Sequence, residues 1–145
     1  MERLLKLDGR CATVRRKNGD GPLHIACMMG SVDIAALLLL DSRVQLDVNR
    51  GNVQKNTTAL HLACTEGHAD VVATLLAQAT TLANVQDRDR NTPLALAASK
   101  GHLGVVKALL AHPGIDSDIP GKVGGRMECN RMELGCRCRC RCRCR

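Results

Sequence analysis

Three stretches of the chain, GPLHIACMMGSVDIAALLL, TALHLACTEGHADVVATLL and TPLALAASKGHLGVVKALL, are copies of one pattern. Their anchor residues Leu23, Leu60 and Leu94 lie 37 and 34 residues apart. Recurrence at that spacing constrains the fold more than any other feature. Each copy is one supersecondary unit, too small to bury its apolar face alone, so the units must stack and share one core. The second copy shows the unit most clearly. Thr58 can cap a short helix over about 59–66, with Leu60, Leu62 and Ala63 as its apolar contacts. Gly67 then stops the helix, and a second helix over about 69–78 carries Val71, Val72, Leu75 and Leu76 as a broad apolar stripe. The first copy repeats this through Leu23, Ile25 and Ala26, Gly30, then Ile34, Leu37 and Leu38. The third does so through Leu94, Leu96 and Ala97, Gly101, then Val105, Val106, Leu109 and Leu110. Pro22 and Pro93 suit a first helical turn, where the missing N–H is harmless. Gly21 stands where the other copies have a capping threonine, which predicts a weaker start for that helix.

Composition then narrows the function. The chain has 145 residues, 45% of them apolar, and no Phe, Tyr or Trp. The core must be aliphatic, and the best interface anchors and base-stacking platforms are missing. The net charge of +7 is unevenly spread: residues 1–120 hold 13 basic and 12 acidic residues, whereas residues 121–145 hold eight and two. Six of the nine cysteines, Cys129, Cys136, Cys138, Cys140, Cys142 and Cys144, also fall in this tail. Its CRCRCRCRCR end has too little apolar surface to order alone. Three readings of it stand: an inert tail, an arginine comb that attaches to nucleic acid or an anionic surface, and thiolate metal binding. MERLLKLDGRC at the N-terminus has no apolar run of signal-peptide or membrane-span length, so the expected location is cytoplasmic or nuclear.

Catalysis has no sequence support: there is no G-x-S-x-G, H-E-x-x-H or phosphate loop. Asp87, Asp89, Asp116 and Asp118 read as solvated turn acids. His24-x-x-Cys27 and His61-x-x-Cys64 have zinc-like spacing, but the third copy fills those slots with Ala95 and Ala98. A pattern that tolerates alanine follows packing and not coordination, so no metal, cofactor or enzymatic activity is expected.

The Thr-Pro-Leu-His-x-Ala pattern at about this period resembles the ankyrin repeat. The resemblance covers about residues 4–118, with departures at Gly21 (for Thr), Ala59 (for Pro), Ala95 (for His) and Arg90 (for a turn glycine). It implies an all-α solenoid of stacked helix-turn-helix units, with turn or β-hairpin fingers projecting to one side. The expected divisions are a partial repeat or flank at 1–17, repeats at 18–49, 50–86 and 87–118, and a disordered basic tail at 119–145. Leu4 and Leu5 stand at second-helix distance from Leu23, so the chain reads as opening within an earlier repeat and as a possible fragment. An unfinished apolar face is expected around Val105 and Leu109. Gly51-Asn52 is the expected tip of the first connector. The implied function is that of a monomeric, non-catalytic module binding a protein partner. By position, the resemblance assigns contact to the slots before the helix-ending glycines, Met28, Met29, Thr65, Glu66, Ser99 and Lys100. It assigns finger-tip contact to Asp20, Thr57, Arg88 and Asn91.

Overall fold

The computed structural model describes residues 15–41, 48–117 and 119. Leu4 and Leu5, and the whole Cys/Arg tail with its nucleic-acid and metal readings, lie outside them. Among the described residues there are six helices of eight residues each and no strand. They are α1 (Pro22–Met29), α2 (Val32–Leu39), α3 (Ala59–Glu66), α4 (Ala69–Leu76), α5 (Pro93–Lys100) and α6 (Leu103–Leu110). Helices α1, α3 and α5 pack side by side as one row, and α2, α4 and α6 form a second row behind it. Each pair α1–α2, α3–α4 and α5–α6 is one repeat. This is the all-α helix-turn-helix solenoid that the sequence predicts, with fingers built of turns.

The core lies between the rows. Leu60, Ala63 and Cys64 of α3 meet Val71, Val72 and Leu75 of α4, all buried, with Leu23, Leu38, Leu94, Val105 and Leu109 continuing the layer in both directions. Burying an aliphatic side chain of this size stabilises by about 1.5–3 kcal/mol over leaving it exposed. The expectation of an unfinished apolar face is overturned for Val105 and Leu109 themselves, because both are fully buried, and holds for their neighbours. Val105 and Leu109 point back at the preceding repeat. The apolar surface left at that end of the described stack belongs instead to Leu103 and Leu110. At the other end Ile34 is 37% exposed, whereas its counterpart Val71, covered by a preceding repeat, is 0% exposed.

Helix starts follow the capping chemistry. Thr58 Oγ1 accepts from the His61 N–H at 3.5 Å, and Thr92 Oγ1 accepts from the Ala95 N–H at 3.2 Å. Gly21 offers no side-chain cap to α1, as its sequence predicts. Helix ends follow backbone geometry: Gly30, Gly67 and Gly101 stop α1, α3 and α5 with φ of 72°, 87° and 77°. A side chain in that left-handed region costs roughly 1–2 kcal/mol. Two of these glycines carry a second constraint. A Cβ on Gly30 would lie 2.6 Å from the His68 ring of the next repeat, and one on Gly67 would lie 2.7 Å from the His102 ring. The same rings hydrogen-bond backwards, His68 Nε2 to the Met28 carbonyl at 3.2 Å and His102 Nε2 to the Thr65 carbonyl at 3.0 Å. The glycine is needed both to turn the chain and to let the next histidine reach in.

A matching device works on the loops behind the outer row. Asn49 donates to the Thr80 carbonyl and accepts from the Leu82 N–H at 2.7 Å, and Asn84 donates to the Gly114 carbonyl and accepts from the Asp116 N–H at 3.0 Å. One asparagine per repeat thus ties its loop to the next.

Two predictions follow from the backbone. Gly67→Ala is expected to cost about 2–4 kcal/mol, the conformational penalty plus displacement of His102. Gly101→Ala, with no atom within 4 Å of the added Cβ, is expected to cost only about 1–2 kcal/mol. Urea denaturation of the two variants checks this, and equal losses would show that the histidine contact contributes nothing. Arg90 holds φ of 62° at the position where the first repeat has Gly19. Arg90→Gly is therefore expected to raise stability by about 0.5–1 kcal/mol, read in the same assay.

Candidate functional site

The exposed side of the inner row is set by helical spacing. Residues three and four apart share a face, so Ile25, Met28 and Met29 line up on α1, Leu62, Thr65 and Glu66 on α3, and Leu96, Ser99 and Lys100 on α5. Met28, Met29, Glu66, Ser99 and Lys100 are exposed and Thr65 is half-buried. The six candidate groove positions therefore share one continuous surface. Ile25, Leu62 and Leu96, expected as apolar contacts of their helices, are only half-buried. They form an aliphatic stripe along this same face. Sequence pattern alone assigned them to packing because they sit beside core leucines, but the i, i+3, i+4 relation to the variable slots marks them.

The backbone of this surface is held from behind. Met28 and Thr65 are the residues whose carbonyls receive the His68 and His102 rings. Thr65 Oγ1 also donates to the His61 carbonyl at 2.8 Å. Met29, 68% exposed, is the most open large apolar side chain of the row.

The finger-tip candidates separate sharply. Arg88 is exposed, and its guanidinium donates to the Gln54 carbonyl of the neighbouring finger at 2.8 Å. Asp20 is half-buried; its carboxylate accepts from Asn18 Nδ2 and, at 3.1 Å, from Asn52 Nδ2. Thr57 is buried, and Asn91 is 2% exposed. The last two thus present no side chain to a partner and hold the fingers together instead. Asp87 is no solvated acid either: it accepts from the Asn91 N–H at 2.8 Å. The tip of the second finger also moves. Asn52 Oδ1 accepts from the N–H groups of Lys55 and Thr57 at 3.0 and 3.2 Å, so Asn52 forms the base of the turn and Val53, Gln54 and Lys55 its tip.

The three fingers join edge to edge. The Val53 N–H donates to the Asn18 carbonyl at 3.0 Å, and the Arg88 N–H donates to the Lys55 carbonyl at 2.9 Å. Along this strip Arg16, Lys17, Arg50, Lys55, Arg88 and Arg90 are all exposed, while Asp89 is the exposed acid among them. The rest of the described surface has the opposite balance, with Asp33, Glu66, Asp70 and Asp116 exposed against Lys100 and Lys107. Linear charge counting hid this, because residues 1–120 are nearly neutral as a whole.

The histidine and cysteine pairs take structural positions. The His61 ring spans two repeats: Nδ1 accepts from the Thr58 N–H at 3.2 Å, and Nε2 donates to the Asn91 carbonyl at 3.1 Å. That pattern assigns the proton to Nε2 of a neutral ring. Burial holds the His61 pKa below its usual value, against the opposing pull of the Asn91 carbonyl and Asp87. His24 is similar, with burial dominant and Asp20 opposing; its Nδ1 accepts from the Gly21 N–H at 3.4 Å. Burial pushes the Cys27 thiol up to about 12 and raises that of Cys64 as well. Both are buried thiols packed into the core, far from thiolate chemistry at neutral pH.

Two rows of short helices, an open inner face and a strip of turns along one edge define a linear helical-repeat scaffold. A family model described as ankyrin repeats in three copies matches residues 43–120, and a single ankyrin-repeat model matches residues 18–52. The chain belongs to the ankyrin-repeat family, whose repeats are generally protein–protein interaction modules. No individual curated protein matches it in sequence. Among the described residues no helix is long and apolar enough to cross a membrane.

The buried histidines make stability depend on pH. Because their folded pKa values lie below the unfolded value of 6.5, the unfolded chain takes up protons first as pH falls. The expected result is constant stability above about pH 6.5 and a decline below it, of up to about 1.4 kcal/mol per pH unit for each ring. Urea midpoints at about pH 7.5 and 5.5 check this, with His61→Gln expected to reduce the slope.

Proposed function

We propose that this chain is a non-catalytic adaptor that binds a protein partner across the inner helical face and the adjoining finger strip. The observation that carries the reading is the aliphatic stripe Ile25–Leu62–Leu96, bordered by exposed Met28 and Met29 and continuous across three repeats. Methionine is flexible and polarizable and adapts to varied apolar contacts, which suits a surface lacking aromatic anchors. Thr65, Glu66, Ser99 and Lys100 give the same face hydrogen-bonding and charged groups that set orientation. Arg88 extends it onto the fingers, whereas Asp20, Thr57 and Asn91 keep the fingers in place.

Peptides selected from a random library against the full chain provide ligands for the test. Replacing Met28 and Met29 together by Ser is expected to weaken such ligands at least about tenfold, since two apolar contacts at this site are worth 1.4 kcal/mol or more. The thermal midpoint should stay nearly unchanged, because both side chains are exposed. Unaltered affinity in the double variant would remove this face from the binding surface.

A further inference from the structure

The finger strip adds a chemical preference that the groove does not express. We infer that the partner presents an acidic polypeptide segment to the fingers, beside apolar side chains that enter the Ile25–Leu62–Leu96 stripe. This inference rests on the protein-binding reading above and specifies the chemistry of the partner. Three observations carry it.

The fingers form one surface and not three separate loops. Hydrogen bonds from Val53 to Asn18 and from Arg88 to Lys55 join their backbones, and the Arg88 guanidinium reaches back to the Gln54 carbonyl. Charges on them therefore hold fixed relative positions and act together on an incoming ligand.

Two acids of this strip, Asp20 and Asp87, are turned to internal use, whereas Lys17, Lys55 and Arg90 are exposed. Asp20 receives Asn18 and Asn52, and Asp87 receives the Asn91 backbone, so both carboxylates sit half-buried at the base of their turns. These three bases stand one on each finger, and Val53 is exposed as well. The exposed charge of the described strip is therefore mostly positive, with Asp89 as the exception.

Elsewhere on the described residues the exposed acids Asp33, Glu66, Asp70 and Asp116 outnumber the exposed bases Lys100 and Lys107. Among the described residues, an acidic segment is attracted to the finger edge more than to the remaining surface, which favours approach from that side. Polypeptide is favoured over nucleic acid on three counts. The chain has no aromatic side chain on which a base could stack. Asp89 stands exposed between Arg88 and Arg90 and interrupts a phosphate track. The adjoining stripe is aliphatic, and a sugar–phosphate backbone has nothing to place in it.

The test is a titration of the ¹⁵N-labelled full chain with poly-L-glutamate of about 20 residues at low ionic strength, followed by amide chemical shifts. Shifts are expected over residues 16–20, 52–56 and 86–90. In a Lys17→Glu, Lys55→Glu, Arg90→Glu variant the finger shifts should weaken at least about tenfold, because three attractions at short range become repulsions. The helical circular dichroism of the variant should be retained, since all three side chains are exposed. A second arm uses a 20-base-pair DNA duplex. Shifts confined to residues 121–145, undiminished finger shifts in the variant, or tighter binding of the duplex than of poly-L-glutamate at the fingers would each overturn the inference. The library-selected peptides separate this from the groove reading. If Met28→Ser with Met29→Ser abolishes their binding while the charge-reversed variant leaves it intact, the groove stands and the acidic partner falls.

Discussion

Everything in this structure depends on how closely one repeat approaches the next, and a single contact sets that distance. A histidine ring from each following repeat lies against the helix-ending glycine of the preceding one and donates to a carbonyl in its last turn. The contact is directional, unlike the aliphatic packing beside it, so it fixes register as well as separation. Because the accepting carbonyls belong to Met28 and Thr65, the bond that joins the repeats also steadies the backbone beneath the proposed binding face.

The fingers use a different chemistry for the same purpose. With no β-ladder available, turns in this region are held by side chains: Asn18 with Asp20, Asn52 with its own loop, and Asp87 with Asn91. Buried polar groups must find partners, and here the partners come mostly from the neighbouring turn or repeat. His61 illustrates this, with one ring nitrogen serving Thr58 and the other reaching Asn91. Arg90 and Asn56 accept positive φ, at 62° and 55°, where the first finger has glycine. The turns keep a common path even though their residues differ.

The architecture was legible in the sequence because it is encoded many times over. Three copies with leucines, a glycine and a second apolar stripe in the same register leave little freedom, and the helices fall where spacing and capping place them. Ala59–Glu66 begins at the capping Thr58 and ends at Gly67, as read directly from those residues. That Met28, Met29, Thr65, Glu66, Ser99 and Lys100 share one face was legible for the same reason, since they fill equivalent slots in the repeat. The fingers were not. Their exposure depends on which short polar side chain folds back onto the turn, and Asp20, Thr57 and Asn91 look from sequence like any other surface residue. Val105 and Leu109 failed differently: the repeat pattern shows that a residue is apolar but not toward which neighbour it points. The segregated charge of the finger strip was hidden because residues distant along the chain are brought together only by stacking.

Contacts in this molecule run almost wholly between adjacent units, which makes the stack a short one-dimensional lattice. Only the central unit, α3 with α4, holds both of its interfaces within the described residues, receiving His102 from one side and sending His68 to the other. A lesion there severs the array in two, whereas one in a flanking unit lets that end fray while its neighbours persist. The central repeat is therefore the keystone of cooperativity, and a ligand lying across all three units would act as a clasp that suppresses fraying at both ends at once.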